Sequence, residues 1–288
     1  MSGLNSNGSQ IAKTIKLYIN GQFPRTESGR SFPVYVHGTE QVYANLCQSS
    51  RKDLRGAVEA SQNALKGWSS RTAYNRAQIL YRMAEMLEGK REEVLSLLTN
   101  VTGADEKRAL KSFNDGIDTL VYYAGFADKF SQVLASVNPV SGPFHNFTSP
   151  DPVGVVGLLY DEDFSLDRFL AQIASVICSG NTVVAIFDKP GAVLTSCLGE
   201  VFATSDLPPG VVNLLSGSID ELYKHLAGHM EVQSIAYAGS DAEKLSTINE
   251  LSIENMKRVV PWSKFDLLDL QPIAAFVEYK TIWHPVGL

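Results

Sequence analysis

The spacing of hydrophobic positions changes about halfway along this 288-residue chain. In residues 53–130 apolar side chains recur at every third or fourth position, which is typical of amphipathic helices. After residue 152 the apolar positions form short continuous runs, as expected for strands that are buried on both faces. Because helical segments separate these runs, the pattern predicts βαβ units and a parallel sheet.

Strands and helices are predicted to alternate through this second half. The predicted strands are residues 153–160, 181–187, 210–215, 234–238 and 257–260. The predicted helices are residues 166–178, 192–203, 219–227 and 241–253. We therefore expect an α/β protein that has an open parallel sheet, helices on both faces of that sheet and an N-terminal helical layer.

Three segments lie outside this scheme. Residues 16–23 alternate around Asn20-Gly21, a dipeptide that favours a tight hairpin. Residues 140–151 are rich in Pro, Ser, Gly and Asn, which indicates a protruding loop or hairpin. Residues 275–283 (AFVEYKTIW) alternate like a half-exposed strand, and such a strand needs a neighbour in this chain or in another.

Composition and charge exclude several classes of function. The 25 basic and 31 acidic residues give a formal net charge of −6, so no overall positive field favours nucleic acid. The three cysteines form no C-x-x-C pair, which argues against a disulfide framework or a zinc site. Residues 1–15 predict a mobile polar tail without a secretory signal, and no apolar stretch is long enough to span a bilayer. We therefore expect a cytoplasmic protein without nucleic-acid or membrane partners.

Eight segments are informative through their order and spacing. They are LYINGQF (17–23), DLRGAVEASQNALKGW (53–68), RAQILYRMAEMLE (76–88), IDTLVYYAGFADKF (117–130), PVGVVGLL (152–159), SGNTVVA (179–185), LPPGVVNLLSG (207–217) and IAYAGS (235–240). In this order they resemble the aldehyde dehydrogenase superfamily. The resemblance implies a Rossmann-like dinucleotide-binding domain over residues 16–263, with NAD or NADP as cofactor and without a metal.

The resemblance also extends to the C-terminal part of the chain. Residues 274–288 resemble the family's oligomerisation strand, and residues 140–151 resemble the hairpin that this strand joins. In the family, a catalytic domain that carries the nucleophilic cysteine separates this strand from the one matched by residues 257–260. Here residues 264–273 are predicted to be a linker in place of that domain.

The positions that align with the family's catalytic groups carry other residue types. None of Cys47, Cys178 and Cys197 stands in a context like that of the nucleophile, so each is interpreted as a small buried apolar side chain. Asp163 aligns with the asparagine that donates a hydrogen bond to the developing oxyanion, and a carboxylate cannot donate. Trp262 aligns with the general-base glutamate and cannot accept a proton. No catalytic residue is therefore predicted.

The candidate cofactor-binding residues are Gly217, Gly239, Ser240 and Lys189. Gly239 and Ser240 keep part of the turn that faces the pyrophosphate in the family, before a helix N-terminus that could attract an anion. Lys189 stands three positions after the place of the family lysine that holds the adenosine ribose, and Gly217 follows the third predicted strand. Lys244 replaces a family glycine, and it could either pair with a phosphate or block its approach.

Two further clusters suggest metal ligands. The acidic residues 161–163 could hold a hard cation, but without a glycine-punctuated loop they are interpreted as a solvated turn. His225 and His229 have the i, i+4 spacing of a two-histidine metal site on a helix, but no third ligand follows them. A structural role is expected for both histidines, and no metal is predicted.

Three functional hypotheses remain. The first is a non-catalytic subunit that oligomerises with itself or with a full-length aldehyde dehydrogenase through residues 274–288. Deletion of these residues is then expected to give a monomer with an intact fold. The alternative is an NAD(P)-dependent oxidoreductase that acts on aldehydes with residues supplied by a partner chain. A weaker third hypothesis is a small-molecule sensor that uses the cofactor crevice.

Overall fold

Strands and helices alternate after residue 152, as the hydrophobic pattern predicts. The computed structural model describes residues 12–161, 163–187 and 190–287. Within these ranges the strands are β1 (Lys13–Ile15), β2 (Ser31–Tyr35), β3 (Val42–Cys47), β4 (Ser136–Asn138), β5 (Phe144–Pro152), β6 (Val155–Asp161), β7 (Thr182–Phe187), β8 (Val212–Ser216), β9 (Ser234–Gly239), β10 (Arg258–Pro261) and β11 (Val277–Pro285). The helices are α1 (Arg51–Ser69), α2 (Ala73–Glu88), α3 (Arg91–Asn100), α4 (Glu106–Phe126), α5 (Phe130–Leu134), α6 (Leu166–Cys178), α7 (Thr195–Thr204), α8 (Ile219–Ala227), α9 (Ala242–Ile253) and α10 (Gln271–Ala274).

The central sheet is parallel throughout, in the strand order β10-β9-β6-β7-β8. Within this sheet the path of the chain begins at β6 and continues outward through β7 to β8. It then crosses back, so that β9 pairs with the other side of β6. Side chains of β6 alternate between the two faces: Val156 and Leu158 join one hydrophobic cluster, and Val155 and Leu159 join the other. Burial on both faces explains the continuous apolar runs in the sequence.

Helices cover both faces of this sheet. On one face α1, α8 and α9 contribute Leu54, Leu222 and Ile248 to the cluster that includes Val155. On the other face α6 and α7 pack against the strands, α4 packs on α6, and α2 and α3 pack on α4. The predicted α/β class, the helices on both faces and the N-terminal helical layer are therefore confirmed.

A tight turn and a small sheet form the N-terminal region. Asn20 and Gly21 both have positive φ angles, 52° and 71°, as a type I′ turn requires. The turn contacts the edge of β8, because the amide of Tyr18 donates to the carbonyl oxygen of Leu214. Strands β1, β3 and β2 form a separate sheet that the sequence does not predict. Residues 13–15, which the sequence assigns to a mobile tail, are β1 of that sheet.

A second separate sheet is antiparallel and has the order β11-β5-β4. The register of β11 and β5 runs from Val277 opposite Pro152 to Pro285 opposite Phe144. Residues 140–151 and 275–283 are therefore neighbours within one chain. Strand β11 has no partner on its other side among the described residues.

The segment between β10 and β11 packs closely on the core. Trp262, Ile273 and Phe276 are buried, and the rings of Trp262 and Phe276 stack with centroids 6.3 Å apart. The hydroxyl of Tyr123, on α4, donates to the carbonyl oxygen of Leu267 at 3.0 Å. Residues 264–273, predicted to be a linker, thus contain most of helix α10 and help to cover α6. A local sequence pattern could not reveal this, because the partners are distant in sequence.

Two polar side chains fix the end of this segment. The amide of Asn181 accepts a hydrogen bond from the backbone N–H of Gly154 and donates one to the carbonyl oxygen of Phe276, both at 2.8 Å. The guanidinium of Arg258 donates to the carbonyl oxygens of Ala275 at 2.7 Å and Val277 at 2.9 Å.

Deletion of residues 274–288 is not expected to leave the fold intact, contrary to the expectation from the sequence. That deletion would remove Phe276 and Val277, which are both fully buried. Loss of such side chains leaves cavities in the core, so this truncation would disturb the fold as well as the edge strand. A variant confined to the exposed edge of β11 is the cleaner probe of assembly.

Substitution of Asn181 by alanine is expected to lower the free energy of unfolding by roughly 2–4 kcal/mol. The reason is that the buried N–H of Gly154 and the hydroxyl of Ser179 lose a hydrogen-bond partner, and the carbonyl oxygen of Phe276 keeps only the longer bond from Val153. Chemical denaturation of both proteins measures the difference. The control Asn100→Ala alters an exposed amide and should change stability by less than about 0.5 kcal/mol. Equal effects of the two substitutions would contradict the anchoring role of Asn181.

Candidate functional site

The direction in which the chain adds strands to the sheet reverses at β6. The chain leaves β6 toward β7 and later returns to the opposite side of β6 for β9. In open α/β sheets ligands bind beyond the carboxyl ends of the strands at such a point, because the diverging connections leave a crevice. Asp161 at the end of β6 lies beside Gly239 at the end of β9. The candidate site is therefore this crevice, where α9 begins.

An ion pair occupies the crevice. The Nζ atom of Lys244 lies 2.5 Å from Oδ2 of Asp161 and 2.8 Å from Oδ1 of Asp220. The side chains of Lys244 and Asp161 are 11% and 12% exposed, whereas that of Asp220 is 78% exposed. The hydroxyl of Tyr237 donates to Oδ2 of Asp161 at 3.3 Å. We call Asp161, Asp220, Tyr237 and Lys244 the crevice cluster.

The environment fixes the protonation of two members of the crevice cluster. Burial opposes the charge on Lys244, but the hydrogen bonds to Asp161 and Asp220 outweigh it and raise the pKa of the amine above its ordinary value. Burial, together with the charge of Asp161, raises the pKa of the Tyr237 hydroxyl to about 12. Lys244 is therefore a cation at neutral pH and Tyr237 a neutral donor. One ammonium and two carboxylates give the cluster a formal charge of −1.

The predicted solvated acidic turn at residues 161–163 is wrong for Asp161. Strand β6 continues through Asp161, so its carboxylate is held between β6, α8 and α9 by Lys244. Asp163 is exposed, and Glu162 lies outside the described residues. The sequence drew attention to Asp161 and Lys244 separately. The sequence does not pair them, although opposite charges that follow the carboxyl ends of two strands in a parallel sheet are a signal that can suggest such a contact.

The turn at the start of α9 is already satisfied by its own residues. The carboxylate of Asp241 accepts hydrogen bonds from the backbone N–H groups of Glu243 and Lys244, each at 3.0 Å. An anion at this helix N-terminus would have to displace that carboxylate. The ring of Tyr237 covers Gly239, since a Cβ atom added at Gly239 would lie 2.5 Å from the hydroxyl oxygen. Gly239 is partly exposed, and Ser240 and Asp241 are exposed.

The candidate cofactor-binding residues that the structure describes lie at the ends of two different strands. Gly239 and Ser240 border the crevice. Gly217 follows β8, which β6 and β7 separate from β9, so it lies about 14 Å away at the usual strand spacing. Its glycine character is explained by packing, because an added Cβ atom would lie 2.9 Å from the backbone nitrogen of Ser49. Lys189 lies outside the described residues.

The described residues of the crevice do not fit the pyrophosphate of NAD or NADP. The only cation of the crevice cluster is already bound to two carboxylates. The first N–H groups of α9 are bound to Asp241, and a tyrosine ring covers Gly239. The negative charges of a bound pyrophosphate would lie close to this negatively charged cluster, where the dielectric screening of water is weak.

The three cysteines lie in the core rather than in the crevice. Cys47, Cys178 and Cys197 are all at most 2% exposed. Burial raises the pKa of Cys178 to about 12 and that of Cys197 to about 12, so neither thiol forms a nucleophilic thiolate at neutral pH.

The two histidines do not share a helical face. Helix α8 ends at Ala227, so His225 lies on it and His229 lies in the turn that follows. The Nδ1 atom of His229 accepts a hydrogen bond from the N–H of Glu231 at 3.2 Å, which gives this histidine a local structural role. The described part of the chain contains no group of three histidine, cysteine, aspartate or glutamate side chains that could hold a metal ion. It also contains no helix with the length and apolar character needed to cross a bilayer.

Comparison with known proteins points to one family. The family model described as "Aldehyde dehydrogenase family" matches residues 23–261. Mitochondrial aldehyde dehydrogenase family 2 member B4 of Arabidopsis thaliana is 32% identical over 234 residues, which are 80% of this chain and 43% of the relative. Human retinal dehydrogenase 2 is 31% identical over 254 residues, 86% of this chain and 48% of the relative. The chain spans about half the length of the curated relatives that it matches.

Solved structures give the same picture. The NAD+ complex of aldehyde dehydrogenase from Bacillus cereus superposes with a TM-score of 0.81 at 28% sequence identity. The superposition covers 86% of this chain and 50% of the Bacillus cereus chain.

Iodoacetamide at about pH 8 is expected to leave all three cysteines of the folded protein unmodified, because they are buried. After unfolding in guanidinium chloride, all three should be alkylated. Mass spectrometry of the intact chain counts the adducts in both states. Rapid single alkylation of the folded protein would reveal a reactive thiol and would contradict this description of the core.

Proposed function

The chain belongs to the aldehyde dehydrogenase family, and from this membership we propose that it is a non-catalytic member that assembles with itself or with a full-length relative. The observation that carries the proposal is the edge of β11 that no described strand covers, on a strand that is held in place by the protein's own core. Three further features support it. They are the residues at the aligned catalytic positions, the packing of the segment between β10 and β11, and the backbone hydrogen-bonding groups of β11.

The catalytic positions support the non-catalytic part of the proposal. The residue aligned with the family's general base is Trp262, whose ring is buried against Phe265 and Phe276. An indole cannot accept the proton that a general base removes. The thiols of Cys178 and Cys197 are held in their protonated form by burial. Neither of these two thiols is therefore an activated nucleophile.

The segment between β10 and β11 supports a stable fold without an inserted catalytic domain. It places Ile273 and Phe276 in the main hydrophobic cluster and is held by hydrogen bonds from Asn181 and Arg258. Helix α10, within this segment, packs on α6 and covers part of its apolar surface. The short connection therefore behaves as a part of the core.

The backbone of β11 offers hydrogen-bonding groups to a further strand. The amide of Val286 donates to Pro143 and the carbonyl oxygen of Phe276 accepts from Val153, so even-numbered residues face β5. In an antiparallel pair the residues alternate in direction, so the odd-numbered ones direct their N–H and C=O groups to the free edge. Tyr279 and Trp283 are about half exposed there. These outward backbone groups and the two exposed aromatic rings favour strand addition.

Substitution of Tyr279 by proline is expected to reduce the mass of the assembly measured by light scattering. Proline removes the outward N–H that would donate a hydrogen bond to a partner strand. It leaves the hydrogen bonds to β5 in place. The matched control is Tyr279→Thr, which shortens the same side chain and keeps the N–H. It should retain more of the assembly than the proline variant.

Light scattering of the purified wild-type protein and co-purification with a co-expressed full-length aldehyde dehydrogenase of the same organism complete this test. A wild-type protein that stays monomeric and does not bind the full-length enzyme would refute the assembly. Equal masses for the wild type and a folded Tyr279→Pro variant would exclude strand addition at β11.

The purified chain is expected to produce no NADH or NADPH from a short aliphatic or an aromatic aldehyde. The reason is that all three thiols are buried and that burial raises the pKa of Cys178 and of Cys197. Absorbance of the reduced nicotinamide measures the reaction, and a full-length aldehyde dehydrogenase is the positive control. Turnover that survives repurification and is lost on a crevice substitution such as Ser240→Ala would favour the oxidoreductase alternative.

A further inference from the structure

The ammonium group of Lys244 is bound to Asp161 in the crevice where an open α/β sheet offers an anion a binding place. We propose that this internal ion pair closes the crevice, so that the carboxylate of Asp161 takes the position at Lys244 that a phosphate would need. The chain therefore does not bind a dinucleotide there. This inference is separate from the proposed assembly, which does not depend on the state of the crevice.

The ion pair joins the three elements around the crevice. Asp161 belongs to β6, Asp220 to α8 and Lys244 to α9. Asp220 is largely exposed, and exposed ion pairs contribute little. The pair between Asp161 and Lys244 is almost completely buried, so it is the part of the crevice cluster that holds α9 against the end of β6.

Phosphate binding would require this pair to separate. If Lys244 turned toward a phosphate, Asp161 would remain buried with only the weaker hydrogen bond from Tyr237, at 3.3 Å. A buried charge without its partner is strongly destabilising. If the pair stayed intact, the phosphate would face Asp161, Asp220 and the Asp241 carboxylate at the start of α9. Both routes disfavour an anion.

The packing of Tyr237 on Gly239 also hinders a ligand. In a crevice of this type a glycine allows a ligand to approach the backbone closely. Here the ring of Tyr237 lies over that glycine, and its hydroxyl is directed to Asp161. The tyrosine and the ion pair therefore close the crevice together.

Calorimetric titration of NAD+, and separately of inorganic pyrophosphate, tests the proposal on two proteins. The wild type is expected to show no saturable binding up to about 1 mM. The double variant Asp161→Asn/Lys244→Gly removes both charges and the long side chain, and it should bind NAD+ with a Kd below about 0.1 mM, at least about tenfold below the limit set for the wild type. The matched control, Lys111→Gly/Asp115→Asn, makes the same charge changes in an ion pair on α4 and should behave like the wild type.

Two outcomes would overturn the proposal. One is micromolar binding of NAD+ to the wild type. The other is a double variant that remains folded, as shown by circular dichroism, and still does not bind NAD+. If wild-type NAD+ binding were accompanied by a stable assembly, the closed crevice would fail while the proposed function remained.

A second measurement needs no variant. An amine-reactive ester should modify the exposed Lys52 of the wild type much faster than Lys244, because Lys244 is buried in its ion pair. Addition of NAD+ should leave the rate at Lys244 unchanged when peptides are followed by mass spectrometry. Equal rates at the two lysines, or protection of Lys244 by NAD+, would contradict the closed crevice even if the double variant does not fold.

Discussion

The central parallel sheet has to bury both of its faces, and the positions of the other elements follow from this constraint. Parallel strands need crossover connections, and here α6 to α9 provide them on the two faces. The layer of α2, α3 and α4 then covers α6. Because helices cover both faces, side chains of the inner strands reach solvent mainly at the ends of the strands. A charged residue at such an end, such as Asp161, therefore needs a partner that another element supplies.

Most of the fold could be predicted from local patterns, whereas much of the site could not. Continuous apolar runs identify β6 to β9, and Asn20-Gly21 identifies a type I′ turn. The docking of residues 264–273 depends on contacts with Tyr123, which is more than a hundred positions away. The pair between Asp161 and Lys244 joins residues 83 positions apart. Such contacts leave no periodic signal, and they become visible only when the strand order is known.

Family membership and chemistry depend on different residues in this chain. The segments that carry the likeness are mainly core positions of the sheet and its helices, together with Asn181, which holds two backbone segments. These positions preserve the fold, as the superposition on the Bacillus cereus enzyme shows. The departures Asp163, Lys244 and Trp262 follow the carboxyl ends of β6, β9 and β10. A fold can therefore be retained while the groups that would bind or react are replaced.

The hydrogen-bonding capacity of β11 also limits what can be added to it. Of its odd-numbered residues, Val277 already gives its carbonyl oxygen to Arg258, and Pro285 has no N–H. Within the strand only Tyr279, Thr281 and Trp283 combine an outward donor with an outward acceptor that the core does not use. A partner strand consequently finds a short ladder whose two ends are closed. Such an edge fixes the register of a single partner and resists the sliding and indefinite stacking that make a longer open edge prone to fibre formation.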